Sequence, residues 1–251
     1  MEQSSTLTRS GGATIAYRHR GGKGPGVLFC TGFHSTMEGD KAQALSAYCE
    51  ERGQQFTRFD YQGHGDSSGR FVDGTIGLWL DDALTVLDQV TEGPQVIVGS
   101  SLGAWMALNM AKARPDRVQS LLLIAPAPDF TTALMWPSLD QETKNALAND
   151  GVWYRPSEFE EDPYPISMTL IEESRQHTVL NRPPIAFNGP VRILHGREDD
   201  VVPVDHAARC LDVVTSSDVS LVLIKDGDHR LSTPRDLALL MRTLGTLLEN
   251  A

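Results

Sequence analysis

The chain has 251 residues, 40% hydrophobic and 22% charged, with a formal net charge of -11, a pI near 5.0 and a mean hydropathy of -0.24. That length buries a sizeable core and fits one large α/β domain, and the composition excludes a disordered or coiled-coil chain. The acidic balance repels phosphate backbones and anionic lipid, so nucleic acid is not an expected partner.

The opening MEQSSTLTRSGGATIAY has neither the apolar stretch of a secretory signal nor the Arg-rich pattern of a transit peptide. No apolar run approaches the roughly 20 residues needed to span a bilayer. Cys30, Cys49 and Cys210 are odd in number and widely spaced, which gives neither a disulfide framework nor a zinc site. Buried thiols in a reducing compartment are expected, and with them a cytoplasmic location.

Short β-branched runs then alternate with longer helical patterns. Thr14–Arg20 alternates polar and apolar residues, as an early antiparallel strand does. GVLFCTG (26–32) is a continuous apolar run, the mark of a strand buried on both faces. A helix follows from Asp40, a plausible N-cap, and a strand follows at QQFTRF. TIGLWLDDALTVLDQV reads as a helix with Ile76, Leu80, Ala83, Leu84 and Leu87 on its buried stripe. Strand QVIVG, a helix over 102–114 stopped by Pro115, and strand SLLLIAP complete the first half.

The alternation breaks over 127–189, a stretch richer in Pro, aromatics and acids. A structureless loop of that length is unusual, so the segment reads as a helical cap inserted in a core formed by 1–126 and 190–251. Strand VRILHG, a helix at DHAARCLDVV, strand VSLVLI and a final amphipathic helix from Pro234 restore the pattern. This βαβα order predicts an α/β fold, a mostly parallel sheet with helices on both faces. Ligands in such sheets sit at the carboxyl ends of the strands.

Two stretches fit Gly-x-Ser-x-Gly: Gly99-Ser100-Ser101-Leu102-Gly103 and Gly65-Asp66-Ser67-Ser68-Gly69. A nucleophile elbow needs a strand entering and a helix leaving, with small residues two before and two after the serine. Ser101 has both. GHGDSSGRFVDG has four glycines and no helical pattern behind it, so Ser67 and Ser68 read as hydroxyls of a surface loop.

Elbow hydrolases run Ser, acid, His along the chain. Of the histidines after Ser101, His177 reads as solvated, His195 as shaping a turn and His206 as partly exposed. His229 lies in a loop after strand VSLVLI, where a general base reaches the sheet's carboxyl edge. The preceding strand-end loop, RILHGREDDVVP, offers Glu198, Asp199 and Asp200, and loop position favours Asp199. Backbone N–H groups at Leu102 and at Phe33, in TGFHS, are the candidate oxyanion donors.

GSSLG, HGREDDVVP and GDHR, in that order after TGFHS and DYQGHGDSSG, resemble the α/β-hydrolase superfamily over essentially the whole chain. The resemblance implies Ser101 as nucleophile, Asp199 as acid, His229 as base, and a small cap at 127–189. It implies a serine hydrolase of the acyl-protein thioesterase or carboxylesterase type, working through an acyl-enzyme on small-molecule or acylated-protein substrates.

Phe130, Leu134, Met135, Trp136, Trp153, Tyr154, Phe159 and Tyr164 are aromatic or apolar residues of the cap that either line an acyl pocket or form the cap's own core, and Met135 and Trp136 lead as substrate contacts. The acidic run Glu158, Glu160, Glu161 and Asp162 reads as a solvated face. No HExxH or CxxC spacing is present, and no metal or organic cofactor is expected. The rival functions are a hydrolase-fold small-molecule receptor, which an intact triad argues against, and C–C bond or epoxide hydrolysis. Ser101 disfavours the epoxide route, which uses an aspartate nucleophile.

Overall fold

A computed structural model describes residues 2–156 and 163–249. The chain builds an eight-stranded sheet from β1 (Gln3–Thr8), β2 (Thr14–Arg20), β3 (Lys23–Cys30), β4 (Gln54–Phe59), β5 (Gln95–Ser100), β6 (Val118–Ile124), β9 (Val191–Gly196) and β10 (Val219–Ile224), ordered β1-β2-β4-β3-β5-β6-β9-β10. β1 pairs with β2, and β2 with β4, antiparallel; every later pair is parallel. The sheet is therefore mostly parallel and helix-covered, as the alternation predicts.

The apolar runs go where continuous hydrophobicity sends them. Val27 to Cys30, Val96 to Val98 and Leu121 to Leu123 are buried on both faces. One face packs on α2 (Ile76–Gln89) and α3 (Leu102–Ala113), with Trp79, Trp105 and Met106 in its core. The other packs on α1 (Asp40–Glu51) and α8 (Pro234–Glu249), through Leu45, Leu240, Leu244 and Leu247.

Two details differ from the pattern reading. Gly39, not Asp40, is the N-cap of α1, and Asp40 opens the helix, where a negative charge complements the helix dipole. The stripe of α2 is rotated: Trp79, Asp82 and Val86 are buried, while Leu80 and Leu84 are partly exposed. Asp82 goes inside because Arg9 donates to it at 2.7 Å and the Gln62 N–H at 2.8 Å. A buried carboxylate is tolerated when it is paired in this way.

Between β6 and β9 the chain forms a π-helical turn at Thr131–Met135, the short α4 (Trp136–Ser138), α5 (Gln141–Asp150), an antiparallel hairpin of β7 (Val152–Arg155) and β8 (Tyr164–Ser167), and α6 (Met168–Glu173). The hairpin is not part of the helical expectation. Val152, Trp153, Tyr154 and Tyr164 are strand-favouring residues, and their pairing supplies it. Asp129 ties the two ends of the stretch together by accepting the Val179 and Leu180 N–H groups at 2.9 and 2.8 Å. The carbonyl of His177 accepts Trp105 Nε1–H at 2.9 Å, anchoring it to α3.

The chain leaves β3 toward β4 on one side and leaves β5 toward β6 on the other. That reversal opens a crevice beyond the carboxyl ends of β3 and β5. The loop carrying Phe33 follows β3, and Ser101 follows β5.

Candidate active site

Ser101 joins β5 to α3 in a sharp turn with φ 54 and ψ -112. A left-handed φ at a residue with a Cβ costs roughly 1–3 kcal/mol and persists only where the surroundings enforce it. Here the Ser101 N–H donates to the Ile124 carbonyl at 2.8 Å, and its carbonyl accepts the Ala127 N–H at 3.3 Å and the Ala104 N–H at 3.0 Å. Close approach of α3 to β3 needs Gly103, where any Cβ would overlap the Cys30 carbonyl.

His229 lies on the loop after β10, with Nε2 3.1 Å from Ser101 Oγ and Nδ1 2.8 Å from Asp199 Oδ2. The Asp199 carboxylate is fully buried, and its other oxygen accepts the N–H groups of Val201 and Val202 at 2.9 and 2.7 Å. Burial pushes this carboxyl up, but the His229 hydrogen bond and charge, with the two N–H groups, hold it below its ordinary value. An ionised Asp199 keeps the proton of His229 on Nδ1. That leaves Nε2 bare, within reach of the serine proton.

The neighbouring carboxylates do other work. Asp200 is exposed, and Asp228 accepts the Leu231 N–H at 2.9 Å. Of the other histidines, His195 also approaches the acid, its Nε2 3.7 Å from Asp199 Oδ2, while His177 and His206 face elsewhere. His195 is buried with Nε2 3.0 Å from the Val202 carbonyl, bracing the turn that carries Asp199. His206, read as partly exposed, is buried instead and donates to the Pro128 carbonyl at 2.8 Å. His177 lies 2.6 Å from Glu173 and is partly buried rather than solvated.

Gly32 lines the same crevice, the position of its would-be Cβ being 3.7 Å from Ser101 Cβ. Its carbonyl accepts the Ser35 N–H at 3.3 Å. Carbonyl and N–H of one peptide point oppositely, so the Phe33 N–H faces out of that turn. Leu102 opens α3, where first-turn N–H groups lack intrahelical partners. The Phe33 ring is the hub of an aromatic group, edge-on to Phe71, Trp79, Phe130 and Tyr164 at 5.0 to 6.0 Å between centroids.

Met135 is buried with Leu147, Ile166 and Ile171, and Trp136 packs on that cluster with Lys144 5.6 Å from its ring centroid. Phe33, Phe130 and Tyr164 also pack on it, so the cluster abuts the crevice. Leu134 and Trp153 are half-buried and Tyr154 is 62% exposed. Phe159 and the acidic residues Glu158, Glu160, Glu161 and Asp162 lie outside the described residues.

Among the described residues there is no group of three or more His, Cys, Asp and Glu side chains placed to hold a metal, and no helix long and apolar enough to cross a membrane. The sequence reading missed His34 and His64, which meet beside Phe33 although thirty residues separate them. No local period announces such a pairing.

Residues 25–154 match the family described as serine aminopeptidase, S33. The human palmitoyl-protein thioesterase ABHD10, mitochondrial, is 39% identical over 98% of this chain and 80% of its own length. The mouse α/β-hydrolase domain-containing protein 10 is 40% identical and superposes with a TM-score of 0.89 over 98% of both chains. A crystal structure from Agrobacterium vitis S4 is 34% identical, with a TM-score of 0.93 over 99% of this chain and 98% of its own. Five such relatives, from cattle, mouse, orangutan, human and rat, carry "mitochondrial" in their names, which overturns the cytoplasmic location expected from the sequence. Buried, unpaired thiols do not distinguish one compartment from another.

Proposed function

We propose, since this chain belongs to the serine aminopeptidase S33 family of α/β-hydrolases and is a hydrolase, that it cleaves carboxylic esters and thioesters through a Ser101-His229-Asp199 triad. The observation that carries the reading is the hydrogen-bonded line from Ser101 Oγ to His229 to a buried, ionised Asp199. Its relatives named palmitoyl-protein thioesterase support an acyl substrate.

His229 Nε2 takes the Ser101 proton as Oγ attacks the acyl carbonyl. The carbonyl oxygen becomes an oxyanion and receives the N–H groups of Phe33 and Leu102. The imidazolium, held by Asp199, returns its proton to the departing alcohol or thiol, leaving an acyl group on Ser101. Water then attacks the acyl-enzyme with His229 again as base, releasing the acid and the free serine. Residues 127–189 serve as the cap of this site. The acyl chain lies along Phe33 and Phe130 toward Met135 and Trp136, a placement supported by the packing these residues share.

The test is fluorophosphonate labelling with turnover of p-nitrophenyl, acyl-CoA and glucuronide esters across a chain-length series. Wild-type protein is expected to label and turn over, and Ser101→Ala to fold, resist labelling and lose at least about 10³-fold in kcat. Wild-type rates in Ser101→Ala would sink the assignment.

A further inference from the structure

The second Gly-x-Ser-x-Gly stretch is built into the fold. Ser67 Oγ accepts the Ala16 N–H at 2.8 Å and donates to the Asp60 carbonyl at 2.6 Å, and Ser68 Oγ accepts the Thr14 N–H at 2.7 Å. These bonds nail the loop to β2 and to the end of β4. From that fixed base, three side chains reach the loop that carries Phe33. Arg58 Nη1 donates to the Met37 carbonyl at 2.7 Å, and Asp60 Oδ1 accepts the Met37 N–H at 2.7 Å. The third is His64.

His64 is buried, with Nδ1 3.3 Å from the Gln62 carbonyl and Nε2 3.3 Å from the His34 backbone nitrogen. Burial pushes this ring down to about 4, so it is neutral at physiological pH. A neutral imidazole has one donor and one acceptor nitrogen. The Gln62 carbonyl takes the donor, which fixes Nε2 as the acceptor of the His34 N–H. The rings of Phe71, Trp79 and Tyr61 stand edge-on at 5.0, 5.2 and 5.7 Å and hold the imidazole in place. His34 itself sits at φ 56, a conformation that a residue with a side chain keeps only when held.

We propose that His64 is a positioning residue of the oxyanion hole, its Nε2 gripping the His34 N–H and thereby fixing the peptide that follows Phe33. The proposal rests on the reading of Ser101 as nucleophile and Phe33 N–H as oxyanion donor. Without the grip, the Phe33 N–H drifts from where the oxyanion forms. The oxyanion exists only once Ser101 has attacked, so the loss falls on the transition state and appears in kcat more than in KM.

The experiment compares His64→Phe with His64→Gln in the full chain on a p-nitrophenyl ester. Phe keeps the aromatic packing and removes the acceptor; the Gln amide oxygen restores one. His64→Phe is expected to lower kcat about tenfold with KM within about twofold. The Ki of a trifluoromethyl ketone, which forms the tetrahedral adduct, rises by the same factor as kcat/KM falls. His64→Gln recovers most of both. Wild-type kcat in His64→Phe, or a fall in kcat with the ketone Ki unmoved, overturns the proposal. If His64→Phe does not fold, His64→Leu removes the acceptor in its place, with the same two outcomes. Ser101→Ala, run alongside, separates the two claims: an inactive Ser101→Ala with unaffected His64 variants removes the positioning role alone, whereas an active Ser101→Ala removes the nucleophile.

Discussion

Replacing Asp199 by Asn tests the site at the atom where its geometry is most constrained. The new amide has one oxygen and one NH2, and the environment dictates which goes where. The side that now accepts the Val201 and Val202 N–H groups requires the oxygen. The NH2 is then left facing His229 Nδ1, which must accept, and the ring proton moves to Nε2. That nitrogen points at Ser101 and can no longer take its proton. Flipping the amide restores a working base but forfeits two N–H partners, at about 1–3 kcal/mol for the part-buried Val202 group and about 0.5–1 kcal/mol for the exposed Val201 group. A penalty of about 1.5–4 kcal/mol leaves the competent form at about one part in 10 to one part in 10³. Losing the carboxylate charge beside the imidazolium lowers the rate further, so kcat is expected to fall about 10² to 10⁴-fold. Initial rates on a p-nitrophenyl ester at pH 8, with circular dichroism as a check of folding, measure this. Asp200→Asn, at an exposed side chain, is the control and is expected to stay within about twofold of wild type. A folded Asp199→Asn within threefold of wild type, or an Asp200→Asn slower than Asp199→Asn, would refute the reasoning.

Two further outcomes follow from packing and burial. Gly65 has φ 45, and a Cβ there would overlap the Asp60 carboxylate, so Gly65→Ala is expected to lose about 2–4 kcal/mol in urea denaturation; a loss under 1 kcal/mol would show that Asp60 does not pin this loop. Burial pushes the thiols of Cys30, Cys49 and Cys210 up to about 12, so at pH 8 they stay protonated and enclosed. Ellman's reagent is expected to titrate none in the native protein and three in guanidinium chloride, and any fast native reaction would contradict the burial.

The sheet and the candidate site differ in how much of each could be read from the sequence. Strands buried on both faces announce themselves as unbroken apolar runs, and the order of motifs along the chain placed Ser101, Asp199 and His229 on loops that follow three strands, β5, β9 and β10. What escaped depends on partners distant in the chain. Asp82 has no business on an apolar stripe until Arg9, 73 residues earlier, is seen to meet it. Nothing local tells His64 to present a nitrogen to His34, thirty residues earlier. The hairpin of β7 and β8 was hidden by its length, since four-residue strands carry too few positions to show a period of two. The same limit blurred the two serine motifs. Five letters cannot distinguish a turn under strain from a loop held by backbone bonds, and only their flanks differ.

β6 and β9 lie side by side in the sheet although more than sixty residues separate them in the chain. Along the sheet, everything between them is a detour that begins and ends one strand apart, its two mouths laced by the single carboxylate of Asp129. Length and composition can therefore change within the detour without moving a strand, a register or the three loops that carry Ser101, Asp199 and His229. Under the proposed function, bond cleavage lies outside the detour, and the share of substrate choice that the cap supplies lies within it. On that reading a descendant of this protein can exchange part of what it recognises while inheriting unaltered the apparatus that cuts.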